Sequence, residues 1–182
     1  MKFSSRYTFV LMMLLISSAV FAQKVDLNLT NALVIGQMDN QEDRYSIEIN
    51  MTEMMTSRGM KAMPSLNMIK RGADSRVLAS DSVAQVCKSK GIDTYVLVSV
   101  RGYDRKFKTT GKKETLTEAL DRGNLFQLYS PDIVSVSFEL KFFRNGEFLH
   151  SEIIKLGNVG GRESVIKRFR SKVGKKLDKN WR

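Results

Sequence analysis

Apolar and polar positions predict a helix followed by a buried strand in residues 80–102. The apolar positions of the helix recur at three- and four-residue spacing: Val83, Val86 and Cys87. Ser80 or Asp81 is suited to cap the start of this helix, and Gly91 is suited to end it. Residues 95–100 are then almost uniformly apolar, which is typical of a strand covered on both faces.

The preceding residues predict a strand, a helix and a second strand. Residues 32–36 form an apolar run, and Asp39 with Glu42 three residues later resembles a reciprocal helix cap. The helix that follows has a methionine-rich buried side, consisting of Ile47, Met51, Met54 and Met55. Residues 60–68 favour a short strand, and Pro64 places it at a sheet edge because proline lacks an amide donor.

A β-hairpin is predicted near the C-terminus. Every second residue from Val134 to Phe142 is apolar, the pattern of a strand with one buried face, and Asn145-Gly146 favours a two-residue turn. This turn predicts the following cross-strand partners: Arg144 with Glu147, Phe142 with Leu149, Leu140 with Ser151, Phe138 with Ile153, Glu139 with Glu152, and Lys141 with His150.

Two further segments complete the chain. Beyond Val100 the strand pattern continues with basic residues, which predicts an extension past the sheet, while residues 114–121 favour a short helix. The extension and the region after it span about residues 101–131, and residues 109–131 fit a mobile insertion equally well. A final amphipathic helix over residues 162–179 presents a buried side made of Val165, Ile166, Phe169, Val173 and Leu177.

The order of elements indicates a mixed α/β fold. Two right-handed crossover helices make the first three strands parallel, and the hairpin adds two antiparallel strands at one side. We therefore expect a five-stranded mixed sheet with the C-terminal amphipathic helix docked on it.

The N-terminus predicts export. Residues 1–22 combine a positive start, a short apolar core and a small-residue cleavage site, the features of a secretory signal peptide. The remaining residues, 23–182, have the length of a single α/β domain. We expect this domain to be soluble in the periplasm or outside the cell, because no cysteine follows the cleavage site to carry a lipid anchor. The single cysteine, Cys87, excludes an internal disulfide and fits a buried core position.

Charge points to an anionic partner. The formal net charge is +11, and removing the two cations of the signal peptide leaves +9. Two groups of cations are candidate sites for an anion or partner. The first lies on one side of the final helix and consists of Arg168, Lys172, Lys175 and Lys179. The second follows the central strand, interleaved with Tyr103 and Phe107, and consists of Arg101, Arg105, Lys106 and Lys108.

Candidates for catalysis are few. His150 is the only histidine, and we expect it on the outer face of the hairpin, where Glu139 and Glu152 would face each other beside Lys141. One histidine and one cysteine leave little for a metal site, and the dense methionines fit core packing better than copper binding. The sequence predicts neither a cofactor nor a metal.

The pattern of residues 29–102, above all Lys90 to Val100, resembles the α/β domain of several periplasmic accessory proteins. These are the lipoprotein activators of cell-wall synthases, the periplasmic part of the curli secretion channel and the N-terminal domain of the Tol-system propeller protein. The resemblance implies a role in protein interaction or envelope assembly and transfers no functional residue.

Three classes of function stay open. The first is an exported, non-enzymatic binding module that contacts a protein or an anionic polymer or lipid of the cell envelope. The second is binding of nucleic acid or another polyanion, against which the signal peptide argues. The third is an enzyme whose site is assembled in space from Glu139, Glu152, His150 or scattered serines.

Overall fold

A computed structural model describes residues 26–69, 73–109, 112–123 and 126–181; the predicted signal peptide lies outside them. Within these ranges the chain forms five strands and four α-helices: β1 (Asn31–Gln37), α1 (Gln41–Thr56), β2 (Lys61–Pro64), α2 (Asp81–Ser89), β3 (Thr94–Gly102), α3 (Leu116–Asp121), β4 (Ser135–Arg144), β5 (Glu147–Gly157) and α4 (Arg162–Lys176). Short 3-10 turns occupy Ser65–Asn67 and Ser75–Ala79, and a π-helical turn, Leu177–Trp181, follows α4.

The strands form one mixed sheet in the order β2-β1-β3-β4-β5. β1 pairs in parallel with both β2 and β3, whereas β4 pairs antiparallel with β3 and β5. The predicted fold class is therefore confirmed: three parallel strands, an antiparallel hairpin and a docked C-terminal helix.

Helices cover both faces of the sheet. The side chains of α1 and α4 pack on the face that carries Val34, Val96 and Val98, while α2 and α3 pack on the face that carries Leu33 and Leu97. Neighbouring residues of β1 and β3 thus enter different cores, because successive side chains of a strand point to opposite faces. This arrangement explains why residues 95–98 are all buried, as their apolar run predicts.

The central strand ends earlier than predicted. β3 stops at Gly102, where a bulge shifts its register against β4, and the expected basic strand extension does not form. The hydroxyl groups of Ser135 and Ser137 donate to the carbonyls of Tyr103 and Asp104, so the chain crosses the face of β4 instead of continuing along it. The short helix predicted further on is present as α3.

The buried side of helix α1 is as predicted, but its N-terminal cap differs from the prediction. Ile47, Met51, Met54 and Met55 are all buried against the sheet. The capping side chain is Asn40, whose Oδ1 accepts from the amides of Glu42 and Asp43, and the reciprocal Asp39–Glu42 cap does not form. The side-chain oxygen of an asparagine at this position satisfies amides that the helix itself leaves without partners.

Strand β4 is buried on both faces, although its alternation predicts one. Its helix-facing residues, Val136, Phe138, Leu140 and Phe142, are fully buried. The polar residues between them are buried as well, with Ser137 0% and Glu139 5% exposed, because the segment after β3 covers them. Burial of this polar face depends on residues distant in sequence, so the strand pattern alone cannot indicate it.

The hairpin turn is confirmed, but its register is wrong beyond the first pairs. Asn145 and Gly146 adopt positive φ angles of 52° and 83°, and Arg144 pairs with Glu147 as predicted. A bulge at Leu149 then shifts β5 by one residue. The observed partners include Phe142 with His150, Lys141 with Ser151, Leu140 with Glu152, Glu139 with Ile153, and Phe138 with Ile154.

The bulge has a physical reason in the second half of β5. Without it, Val136 would oppose Lys155, and the strand would turn a lysine toward the α4 core and Leu156 away from it. With it, Leu156 opposes Val136 and Ile154 opposes Phe138, so both enter the core. A shift of one residue moves the side chains of a strand to the opposite faces of the sheet, and the bulge at Leu149 introduces one such shift.

The C-terminal helix docks as predicted, with Val165, Phe169, Val173 and Leu177 buried and Ile166 partly buried. Trp181 adds an anchor that the sequence pattern did not identify. Its ring centroid lies 4.9 Å from that of Phe142, and its indole N–H donates to Glu152 at 3.0 Å. The amides of Leu27 and Leu29 donate to the carbonyls of residues 180 and 181, so this turn also holds the segment that enters β1.

We predict that Leu97→Ala destabilises the protein by about 2–5 kcal/mol, because it opens a cavity at a side chain that is 1% exposed in the middle of the sheet. Chemical denaturation of the parent and the variant measures this loss. Val86→Ala is the matched control, since Val86 is 43% exposed on α2 and its truncation should change the free energy of unfolding little. Equal stability of Leu97→Ala and the parent would contradict the layered fold.

Candidate binding surface

Three cations of α4 form ion pairs with α1 or β5: Arg162 with Asp43, Arg170 with Glu53, and Lys176 with Glu152. Lys167 is exposed and lies outside both these pairs and the predicted group. The predicted group, which we call the α4 stripe, consists of Arg168, Lys172, Lys175 and Lys179, and all four are exposed. Among the described residues, no carboxylate pairs with any member of the α4 stripe. The stripe is therefore a surface of uncompensated positive charge.

The α4 stripe lies beside β5. The Lys172 ammonium donates to the backbone carbonyl of Lys155 at 2.7 Å. One turn later, Lys176 contacts Glu152 on the same strand. Because residues three and four positions apart share one side of a helix, Arg168 and Lys175 lie on the same side of α4 as Lys172, and Lys179 follows in the π-helical turn.

The second predicted group, which we call the basic segment, consists of Arg101, Arg105, Lys106 and Lys108. Arg101 is half-buried and the other three are exposed. The aromatic residues of this segment serve the fold instead of facing outward. Tyr103 packs edge-on against Phe126 with ring centroids 5.4 Å apart, and Phe107 lies over Gly102. The interleaved rings are thus not presented as a platform on which nucleic-acid bases could stack.

The structure brings part of both groups to one place, the C-terminal end of β5. Lys172 reaches Lys155 from the α4 side of the sheet. Arg105 reaches the same end from the other side, where its guanidinium packs over Gly157. A side chain at position 157 would begin 3.1 Å from Arg105 Nη1, so the glycine makes room for this contact. Sequence analysis identified the two groups but could not show that they meet.

A buried charge cluster lies under α3, and sequence analysis missed it. Lys141 Nζ lies 2.7 Å from Glu114 Oε1 and 3.4 Å from Glu139 Oε2, and Glu114 also pairs with Arg122. We expected Lys141 in a surface cluster, but its side chain is only 9% exposed. Burial lowers the pKa of the Lys141 ammonium, attraction to Glu139 opposes this shift, and the nearby Arg122 and Arg101 add to it.

This cluster resembles a catalytic site in its burial and its perturbed lysine. Its charges are compensated, however, because each of the two carboxylates has a cation. The cluster thereby ties the segment before α3 to the polar face of β4. We interpret it as a structural ion network.

The C-terminal ends of β1 and β2 border a cleft of about 760 Å³, the usual place for a ligand in an open α/β sheet. The fully buried Glu48 does not line this cleft itself but accepts hydrogen bonds from residues that do, among them Gly36 and Arg44. Glu48 Oε1 accepts from the Gly36 amide at 2.9 Å, from Arg44 Nε at 2.9 Å and from the Ser65 hydroxyl at 2.6 Å, and Oε2 accepts from an amide as well. This carboxylate is therefore committed to joining β1, α1 and the end of β2.

The candidate catalytic residues do not assemble into a site. Glu139 pairs with Ile153 and Glu152 pairs with Leu140, so the bulge places the two carboxylates on opposite faces of the sheet and separates the predicted pair. His150 lies on the α4 face with Glu152, against the ring of Phe142. Cys87 is buried, and burial raises the pKa of its thiol, as expected for a core residue.

The described ranges contain neither a metal-binding cluster nor a membrane-spanning helix. No three metal-binding side chains of the types His, Cys, Asp and Glu cluster within these ranges. No helix within them combines the length and apolar composition needed to cross a bilayer.

Comparison of the sequence with known protein families and with curated proteins gives no match. Among solved structures, the chain is similar to lipoprotein GNA1162 from Neisseria meningitidis, with 11% identity over 82% of this chain and 97% of that chain and a TM-score of 0.46. It is also similar to the PelC dodecamer from Paraburkholderia phytofirmans, with 12% identity over 87% of this chain and 92% of that chain and a TM-score of 0.45. At these values the likeness concerns the fold and carries no argument about function.

We predict that replacing Lys141 by Met destabilises the protein by about 3–5 kcal/mol at neutral pH, because it leaves buried carboxylates without their ammonium partner. Denaturant unfolding measures this loss. Lys113→Met, at an exposed lysine just before the cluster, is the control and should have little effect. A stability equal to that of the parent would show that the cluster contributes nothing.

We also predict a dependence on pH that His150 causes. Burial lowers the pKa of His150 below its ordinary 6.5, with attraction to Glu152 opposing the shift and Lys176 adding to it. The unfolded chain therefore binds a proton more readily, and the stability from this residue falls as the pH falls from about 6.5. The free energy of unfolding of the parent minus that of His150→Gln, measured across this range, should decrease as the pH falls. Parallel curves would contradict the shift.

Proposed function

We propose that this protein is an exported, non-enzymatic binding module of the cell envelope that holds an anionic partner on the α4 stripe. The observation that carries the proposal is the division of the cations along one helix. Arg162, Arg170 and Lys176 have carboxylate partners on α1 and β5. The four cations of the α4 stripe, like Lys167, are exposed and have no carboxylate partner among the described residues.

Stability gives no reason for such a stripe. Like charges at four-residue spacing, as at Arg168 and Lys172, destabilise a helix by about 0.2–0.5 kcal/mol per pair. The apolar side of α4 already secures docking, since each buried aliphatic or aromatic side chain contributes about 1.5–3 kcal/mol before entropy is counted. The stripe is accordingly available for binding without competing with the fold.

The predicted location in the cell envelope favours an anionic envelope component as the partner. The predicted signal peptide favours a location among envelope components, and the resemblance in residues 29–102 implies an accessory role there. A nucleic-acid partner is the weaker alternative because the aromatic rings of the basic segment pack within the fold. The enzymatic alternative based on Glu139 and Glu152 loses its geometric basis, since these carboxylates lie on opposite faces of the sheet.

We predict that replacing Arg168, Lys172, Lys175 and Lys179 together by Gln weakens binding to poly-L-glutamate and to phosphatidylglycerol vesicles by at least about tenfold at low salt, because each cation near an anionic surface contributes about 1 kcal/mol. Added salt should reduce the difference between parent and variant, since exposed charges are screened beyond about 8 Å at physiological ionic strength. Thermal unfolding should show an intact fold.

The matched control removes four exposed cations from elsewhere: Lys61, Lys88, Lys90 and Lys113. This variant has the same net charge as the first, so it separates a local site from the overall charge of the protein. We expect it to bind both probes nearly as well as the parent. If the two quadruple variants bind equally, the α4 stripe is only a solvated surface and the proposed site is wrong.

A further inference from the structure

Strand β5 is an open edge of the sheet. It has eleven residues and, among the described residues, pairs only with β4. The opposite edge, β2, has four residues and ends at Pro64, which makes it a poor template for another strand. A long edge strand presents a row of backbone donors and acceptors that a further strand can use. Of the two edges, β5 is therefore the one suited to binding.

One hydrogen bond shows which residues of β5 turn their backbone outward. In an antiparallel pair, alternate residues direct both backbone groups toward the partner strand or away from it. The carbonyl of Lys155 accepts from Lys172 on α4, so it points away from β4. Regular pairing with β4 continues from Lys155 back to Ser151. Ile153 and Ser151 therefore present outward backbone groups as well.

Positive charge flanks this edge on both faces of the sheet. Lys172 of the α4 stripe reaches β5 on one face, and Arg105 lies over its last residue, Gly157, on the other. Lys155 adds a third cation from the strand itself. A strand bound along this part of the edge would thus have cations on both of its faces.

We propose that the β5 edge binds an acidic peptide segment in extended conformation, which joins the sheet as a sixth strand. Main-chain hydrogen bonds to the outward groups of Ser151, Ile153 and Lys155 hold the peptide, as in other cases of strand addition. Its carboxylates pair with the flanking cations. Lys172 then exchanges the carbonyl of Lys155 for a carboxylate of the peptide. This inference rests on the proposed function and names the class of anionic partner.

Charge favours such a peptide over a second copy of this chain. The net charge of +9 that remains without the two cations of the predicted signal peptide makes two copies repel each other, whereas an acidic peptide is attracted over the whole approach. Strand addition also explains why Lys172 and Arg105 both lie beside an open edge strand.

The test uses a labelled peptide of alternating Glu and Val, about as long as β5, and a version methylated on every amide nitrogen. Both carry the same charge, but the methylated peptide cannot donate main-chain hydrogen bonds along either edge. Fluorescence anisotropy at fixed low salt measures binding of each peptide to the full chain. We expect the methylated peptide to bind about tenfold more weakly, a difference of about 1.4 kcal/mol.

The protein side of the test uses Ser151→Pro, which removes one outward amide, with Ser151→Ala as the matched control that keeps it. Proline is tolerated in an edge strand where the amide faces solvent. We expect Ser151→Pro to lose affinity for the unmodified peptide by about tenfold and Ser151→Ala to bind like the parent. If Ser151→Pro does not fold, the comparison of the two peptides on the parent decides alone.

Several results would overturn strand addition. Equal binding of the two peptides would show that charge alone holds the ligand, which leaves the proposed function intact. Absence of binding by either peptide at low salt would also contradict it, as would a dimer of the parent that Ser151→Pro abolishes. Failure of the proposed function is distinct, because it appears as unchanged polyanion binding in the α4 stripe variant.

Discussion

Burial of β3 and β4 on both faces is the constraint on which the rest of the structure depends. Two neighbouring strands in the middle of the sheet require a layer on each side, and the helices supply these layers. On one side α1 and α4 bury the apolar residues of β3 and β4. On the other side α2 and α3 cover apolar residues of β1 and β3. The part of this second layer that lies over β4 contacts polar residues. The ion network around Lys141 makes these polar residues compatible with burial.

The same constraint determines what the C-terminal helix can offer to a partner. Its apolar side is occupied by the sheet, so binding must use the side that remains. The acidic residues of α1 and β5 compensate three of the cations beside them, whereas the exposed α4 stripe has no carboxylate partner among the described residues. Docking and the proposed binding would thus use different sides of one helix and would not compete.

How far the fold could be predicted depended on whether the deciding contacts were local. The central strand and the docked side of α4 were predicted because their apolar spacing is a local property. The hairpin register failed because the bulge at Leu149 is decided by the second half of β5. That signal was present in the sequence, since Ile154 and Leu156 can both enter the core only if one residue is skipped.

The candidate site shows the same limit. Sequence pattern identified the cations of the α4 stripe and of the basic segment, because both are runs of similar charge. It could not identify that Lys172 and Arg105 both approach the C-terminal end of β5, because this requires the chain to cross β4 after Gly102. Lys141 was misplaced for a related reason: the carboxylate of Glu114 that makes its burial possible lies far away in sequence.

The two ends of the β4–β5 hairpin have different surroundings: the ends of the described chain lie near the turn, and two cations lie near the opposite end. At the turn, the guanidinium of Arg144 donates to the carbonyl of Leu27, and Trp181 packs beside it, so both ends of the described chain lie there. The cations of Arg105 and Lys172 lie toward the opposite end of β5, which at about 3.3 Å per residue is roughly 30 Å away. A fusion partner or a surface linkage at either end of the described chain would thus lie far from Arg105 and Lys172, and the domain could be immobilised through its termini with these two cations still facing the solution.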